Sequence, residues 1–165
     1  MLVIIHALGL RCKTNSVHVG IMAVPYSKTK ENYEIQFGTN HMGHALLTKL
    51  LLPTLLSTAE KPGSDVPVIN LSSEGHSFAP GIIYDQGRLE SYYTFRHYGQ
   101  SKLANILHAR ELQRRYPSIT ATALNPGVLL TNLYTLHPTS TKQRSRQIRF
   151  AARQSVLQRR TKRRE

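Results

Sequence analysis

The sequence predicts an α/β domain built on a parallel sheet, and three observations predict it. The apolar runs at 66–71 and 119–124 are short and bounded by turn residues, as strands covered on both faces are. A segment with apolar residues at helical spacing precedes each run. The resulting order, helix, strand, loop, helix, strand, loop, is that of crossover connections, which join parallel strands.

The chain has 165 residues, enough for one domain with its own core. Residues 1–10 are apolar but too short to cross a bilayer, and they carry neither a basic n-region nor a clear small-residue cleavage site. They read as a strand or a buried end rather than a signal peptide. Residues 17–22 suggest a short strand running into a loop, and 25–31 a polar connection. From Tyr33 onward, Ile35, Phe37, Met42, Leu46, Leu47, Leu50 and Leu51 make a broad apolar helical face, which Pro53 should kink or end. Lys61-Pro62-Gly63-Ser64-Asp65 is a turn. The first buried strand follows and ends at Ser72-Ser73.

Residues 74–97 carry Gly75, Pro80, Gly81, Gly87 and several aromatics with little periodicity. They read as a long ordered loop, a kind of segment that is usually functional. A helix then runs from Tyr98, with Leu103, Ile106, Leu107 and Leu112 at helical spacing, towards Pro117. The second strand stops abruptly at Asn125-Pro126-Gly127.

The net charge of +13 is unevenly spread. Residues 142–165 hold ten Lys or Arg and one Glu, which is +9 of it. The charge belongs to a tail, solvated as a helix or disordered, and the expected division is a domain at 1–137 and a basic tail at 138–165. The single cysteine, Cys12, excludes an intramolecular disulfide and suits a reducing, cytoplasmic setting. His41 and His44 lie three apart on a helix, but no Cys, Asp or Glu nearby completes a ligand set, so no metal is expected.

The chemistry gathers at Tyr98 and Lys102. Four residues apart on a helix, they share a face, and an ammonium beside a phenol favours the phenolate. That pairing can make the phenol a proton donor near neutral pH. Tyr-x-x-x-Lys alone is a weak signal. Here Ser72-Ser73 and Asn125-Pro126-Gly127-Val128 sit at the carboxyl ends of the two strands, where α/β sheets bind ligands.

Taken together, Asn40-His41-Met42-Gly43, Asn70-Leu71-Ser72-Ser73, Tyr98-Gly99-Gln100-Ser101-Lys102 and Asn125-Pro126-Gly127-Val128-Leu129-Leu130-Thr131 resemble the short-chain dehydrogenase/reductase family over about residues 20–135. The wording around these motifs is most similar to its retinol-dehydrogenase-like branch, fungal members included. The resemblance implies a partial Rossmann-like, doubly wound parallel sheet and NADP or NAD as cofactor, with NADP favoured. It implies Tyr98 as the acid/base, Lys102 as its electrostatic partner and ribose ligand, and Ser73 as the holder of the substrate oxygen. Asn40 would bind a relay water. Gly20, Pro126, Gly127, Val128 and Thr131 would line the cofactor site together with Tyr98 and Lys102. The implied reaction interconverts a carbonyl and an alcohol; Phe78, Tyr84, Tyr92, Tyr93 and Phe95 suggest either the wall of a pocket for a lipophilic small-molecule substrate or side chains that pack the loop down.

Departures from the family pattern are as informative. No G-x-x-x-G-x-G turn occurs, and Val17-His18-Val19-Gly20 stands where Asn-Asn-Ala-Gly is usual. The expectation is a domain truncated at its N-terminus and diverging at its C-terminus, without the first strands and the glycine-rich turn. Two other readings stay open. One is a catalytically inactive fragment that associates with other chains, a homo-oligomer included. The other, less favoured, is a basic module whose tail contacts nucleic acid or acidic membrane.

Overall fold

The computed structural model describes Leu2–Ile5, Asn15–His18 and residues 20–127. The chain divides into two compact units, Met1–Asn125 and Pro126–Glu165. Cys12, Val128, Thr131 and the basic tail at 138–165 lie outside the described residues.

The first unit holds a four-stranded sheet. Its strands are β1 (Leu2–Ile5), β2 (Asn15–His18), β3 (Pro67–Leu71) and β4 (Thr120–Leu124), in the order β2-β1-β3-β4. β3 and β4 are parallel, in register from Pro67 opposite Thr120 to Leu71 opposite Leu124. This is the parallel pair that the two apolar runs predict. β1 is antiparallel to both β2 and β3, with Val3 opposite Asn70. The opening apolar residues thus cover one edge of the parallel pair, satisfying backbone groups that an open edge would expose.

A long helical stretch runs from Ile35 to Ala59. It begins as one turn, α1 (Ile35–Phe37), whose N–H groups at Gln36 and Phe37 are taken by the Glu34 carboxylate. It widens into a π-turn at Gly38–Met42 and continues as α2 (Gly43–Ala59). Pro53 lies inside α2, which runs on to Ala59 rather than ending there. The buried stripe of α2 is His44, Thr48 and Leu55, while Leu46 and Leu50 are 56% and 69% exposed. The inward positions of α2 thus include His44 and Thr48, whose hydroxyl donates to the His44 carbonyl at 2.8 Å, while Leu51 of the predicted apolar face packs against the core.

Residues 74–97 are more regular than a loop. A 3₁₀ turn (Glu74–Phe78) and a short helix, α3 (Gln86–Glu90), precede α4 (Thr94–Arg115). α4 therefore starts before Tyr98, and Tyr98 lies within its second turn. β4 also departs from expectation. Thr120, Thr122 and Leu124 are exposed, so the strand is not covered on both faces within the described residues.

The apolar core lies between α2, α4 and the parallel pair. Leu55, Val66, Val68, Leu112 and Ile119 form it, flanked by Leu51, Leu52 and Tyr116. At the other end of α4 the interior turns polar, with Asn40, Asn70, Ser101, Lys102 and Asn105 all buried. Polar groups survive burial only when hydrogen-bonded, so this end is where a network is expected.

Candidate active site

The site is assembled from three backbone features. The first is the π-turn, closed by the Gly43 N–H reaching the Gly38 carbonyl five residues back. Such turns often mark functional positions, and this one presents Asn40 inward, fully buried. Its side chain grips a single residue twice: Oδ1 accepts from Ile21 N at 2.9 Å, and Nδ2 donates to Ile21 O at 2.9 Å. Nδ2 also donates to Ser101 Oγ at 3.0 Å. Both amide hydrogens are thus engaged, and a water held by this side chain would have to use its remaining acceptor capacity. Gly20 adjoins the gripped residue. The segment is held a second time where Ala23, in a left-handed conformation (φ 56°), donates its N–H to Gln36 Oε1 at 3.0 Å.

The second feature is the end of β3. Ser72 is buried and donates to the Lys102 carbonyl at 3.0 Å, which makes it a strut between strand and helix. Ser73 caps the 3₁₀ turn, its Oγ accepting from Gly75 N at 3.2 Å. The hydroxyl is thereby aimed along the backbone of Gly75.

The third is α4 itself. Tyr98 and Lys102 are 6% and 5% exposed, and Lys102 Nζ stands 5.4 Å from the centre of the Tyr98 ring. Nζ also donates to the Leu71 carbonyl at 3.4 Å. Burial pulls the Lys102 pKa down to about 8, which leaves the side chain mostly cationic at neutral pH. A buried cation beside a phenol stabilises the phenolate through a medium less screened than water.

Gly75 joins the last two features. A Cβ built on it would lie 2.7 Å from Cε1 of Tyr98 and 3.5 Å from Oγ of Ser73. The Ser73 hydroxyl and the Tyr98 ring therefore both lie close to the backbone of Gly75. The structure brings Asn40, Ser73, Tyr98 and Lys102 to one region, with Gly20 beside it. Pro126 and Gly127 belong to the second unit, where Gly127 has φ 77°, a conformation that favours glycine.

Sequence reasoning assigned no role to Ser101, Asn105, Gly75 or Gly99. Ser101 is fully buried and donates to the Tyr98 carbonyl at 2.7 Å. Asn105 bridges two carbonyls, Asn40 O at 3.1 Å and Leu71 O at 2.9 Å. Two buried polar residues on the same helix as Tyr98 were the signal that could have found them. The loop aromatics do not form one wall: Phe78 and Phe95 meet edge to face, Arg96 stacks on Tyr92, and Tyr84 is 83% exposed. Among the described residues, no group of three or more His, Cys, Asp or Glu is arranged to hold a metal, and no helix is long and apolar enough to cross a membrane.

Comparison with known proteins shows the family. The chain is 40% identical over 124 residues to the short-chain dehydrogenase TIC 32 A, chloroplastic, of Brassica napus, covering 71% of this chain and 39% of that protein. It is 42% identical over 118 residues to retinol dehydrogenase 12 of Mus musculus, covering 70% and 36%. The aligned part of the chain belongs to the short-chain dehydrogenase/reductase family. No family model matches it. Among solved structures, one from Mycobacterium paratuberculosis superposes with a TM-score of 0.55 at 44% identity, over 70% of this chain and 42% of that one. The α/β fold is thus a partial Rossmann-like one, and this reductase-family chain spans about two fifths of the length of the relatives named here.

Proposed function

We propose that the chain carries the proton-handling half of an NAD(P)-dependent oxidoreductase that interconverts a carbonyl and an alcohol. The observation that carries this reading is the buried Tyr98–Lys102 pair with Ser73 beside Gly75. In it Tyr98 gives its hydroxyl proton to a substrate oxygen in reduction and takes it back in oxidation. Lys102 stabilises the phenolate left behind, and Ser73 hydrogen-bonds the same oxygen. Asn40 holds the segment next to Gly20 in place. The nicotinamide, when bound, supplies or accepts the hydride.

The residues present fit only one end of that cofactor. The resemblance assigns Tyr98, Lys102, Pro126, Gly127, Val128 and Thr131 to the nicotinamide and its ribose, and favours NADP over NAD. A glycine-rich turn for the pyrophosphate is absent from this sequence. The single cysteine favours a cytoplasmic setting. A second reading, a chain that keeps the site without turnover, is favoured by β1. It pairs antiparallel with β3, where a doubly wound sheet has a parallel neighbour.

Thermal unfolding with and without millimolar NADPH or NADH separates the two. A ligand that binds only the folded chain raises the midpoint according to its affinity. The reductase reading expects an upward shift, larger with NADPH, and carbonyl reduction that Tyr98→Phe abolishes. A cooperative melt that neither nucleotide moves favours the second reading, and turnover that survives Tyr98→Phe removes Tyr98 from its role.

A further inference from the structure

Asn105 lies one helical turn beyond Lys102 and touches every segment of the site. Its Nδ2 donates to the carbonyl of Asn40 in the π-turn and to that of Leu71 at the end of β3. The Leu71 carbonyl is also the one that Lys102 Nζ uses, at 3.4 Å against 2.9 Å for Asn105. On the far side, Asn105 Oδ1 lies 3.0 Å from His41 Nδ1.

The amide orientation follows from these contacts. Two carbonyls can only face the NH₂ end, so Oδ1 must face His41, and His41 Nδ1 must carry a hydrogen. That is the less common neutral tautomer of an imidazole, and here Asn105 selects it. We propose that Asn105 is a positioning residue of this site, one that fixes the Leu71 carbonyl used by Lys102 and is itself oriented by His41.

A carbonyl shared by two donors offers less to each. Removing the nearer donor lets Leu71 O turn towards Nζ, which favours the ammonium and raises the Lys102 pKa. Tyr98 on its own helix and His44 on α2 bear on Lys102, while His41 meets Asn105 and His108 stands edge-on to His41. The inference rests on the reductase reading, because Lys102 matters as the partner of Tyr98. Its test nevertheless needs neither nucleotide nor substrate, so its failure is distinct from a failure of turnover.

The experiment uses the full chain in two NMR measurements. Imidazole nitrogen spectra at pH 7.5, assigned by the loss of a signal in His41→Gln, are expected to show His41 in the Nδ1–H form. The ¹³Cε resonance of Lys102, assigned by its loss in Lys102→Arg, is followed against pH. In Asn105→Leu its midpoint should rise by about one pH unit. In His41→Phe, which removes only the group orienting the amide, it should rise by less. A neutral His41 protonated at Nε2 in the unsubstituted chain overturns the proposal. So does an unmoved Lys102 midpoint in a cooperatively folded Asn105→Leu; should that variant not fold, an unmoved midpoint in His41→Phe overturns it instead.

Discussion

Gly75 and Tyr98 meet backbone to ring, so closely that a methyl group on Gly75 would stand 2.7 Å from Cε1 and 2.9 Å from Cδ1. One residue along α4 the contact is reciprocal, for a Cβ on Gly99 would lie 2.6 Å from the Gly75 carbonyl oxygen. Two glycines thus set how near α4 lies to the turn that carries Ser73. Gly75→Ala should displace a buried ring at a cost of about 1–3 kcal/mol, as overpacked cores do. Carbonyl reduction by the active form should fall further than stability does, because the phenol leaves the region of Ser73. An alanine variant with an unchanged melt and unchanged activity would show that the ring is not held by this contact.

The Asn40 clamp makes a prediction at a distance in sequence. Asn40→Leu keeps the branched shape but leaves both backbone groups of Ile21 without the amide, at a cost of more than about 2 kcal/mol. Hydrogen exchange at the Ile21 amide should speed up well before exchange in α4 does. Equal protection of Ile21 in both proteins would rule out the clamp.

Acid should destabilise the fold through its histidines. Burial lowers the pKa of His44 and His108 to about 4 and that of His41 below its ordinary 6.5, so the folded state favours neutral rings. Between about 6.5 and 4 the unfolded chain binds more protons, and the stability present above that window is lost as pH falls through it. Glu34 works the other way: burial raises its pKa, so its contribution is present at low pH and lost as pH rises through the folded value. Three groups oppose one, and the melting midpoint should drop between pH 7 and pH 4.5. His108→Gln should lessen the drop; a midpoint independent of pH over that range would contradict the burial of these rings.

Core and surface should respond very differently to substitution. Leu55, 3% exposed at the centre of the apolar cluster, should cost about 2–5 kcal/mol on replacement by Ala. Glu111 pairs with Arg114 and Arg115 on the surface of α4, and Glu111→Gln should leave the denaturant midpoint almost unchanged. Comparable losses in the two variants would place the core elsewhere.

Short-range pattern accounts for most of what was legible in advance. The parallel pair, the helix carrying Tyr98 and Lys102, and the serines closing β3 all follow from periodicity and turn chemistry, which act within a few residues. The inward face of α2 was misread for the complementary reason. Leu46 and Leu50 look like core residues until the packing of the helix is known, and the residues that Leu55 packs against come from elsewhere in the chain.

The sequence by itself determined that Tyr98 and Lys102 share a helical face and that serines close β3, and its resemblance to the reductase family is what implies roles for Asn40 and Ser73. Only the tertiary structure decided how they are held. Asn40 turned out to grip Ile21 and Ser101, and Asn105 to bind the carbonyls of Asn40 and Leu71, across separations of 19 to 65 residues. A buried amide takes whichever donors and acceptors the packed backbone brings within 3 Å or so, and no local pattern of side chains encodes that choice.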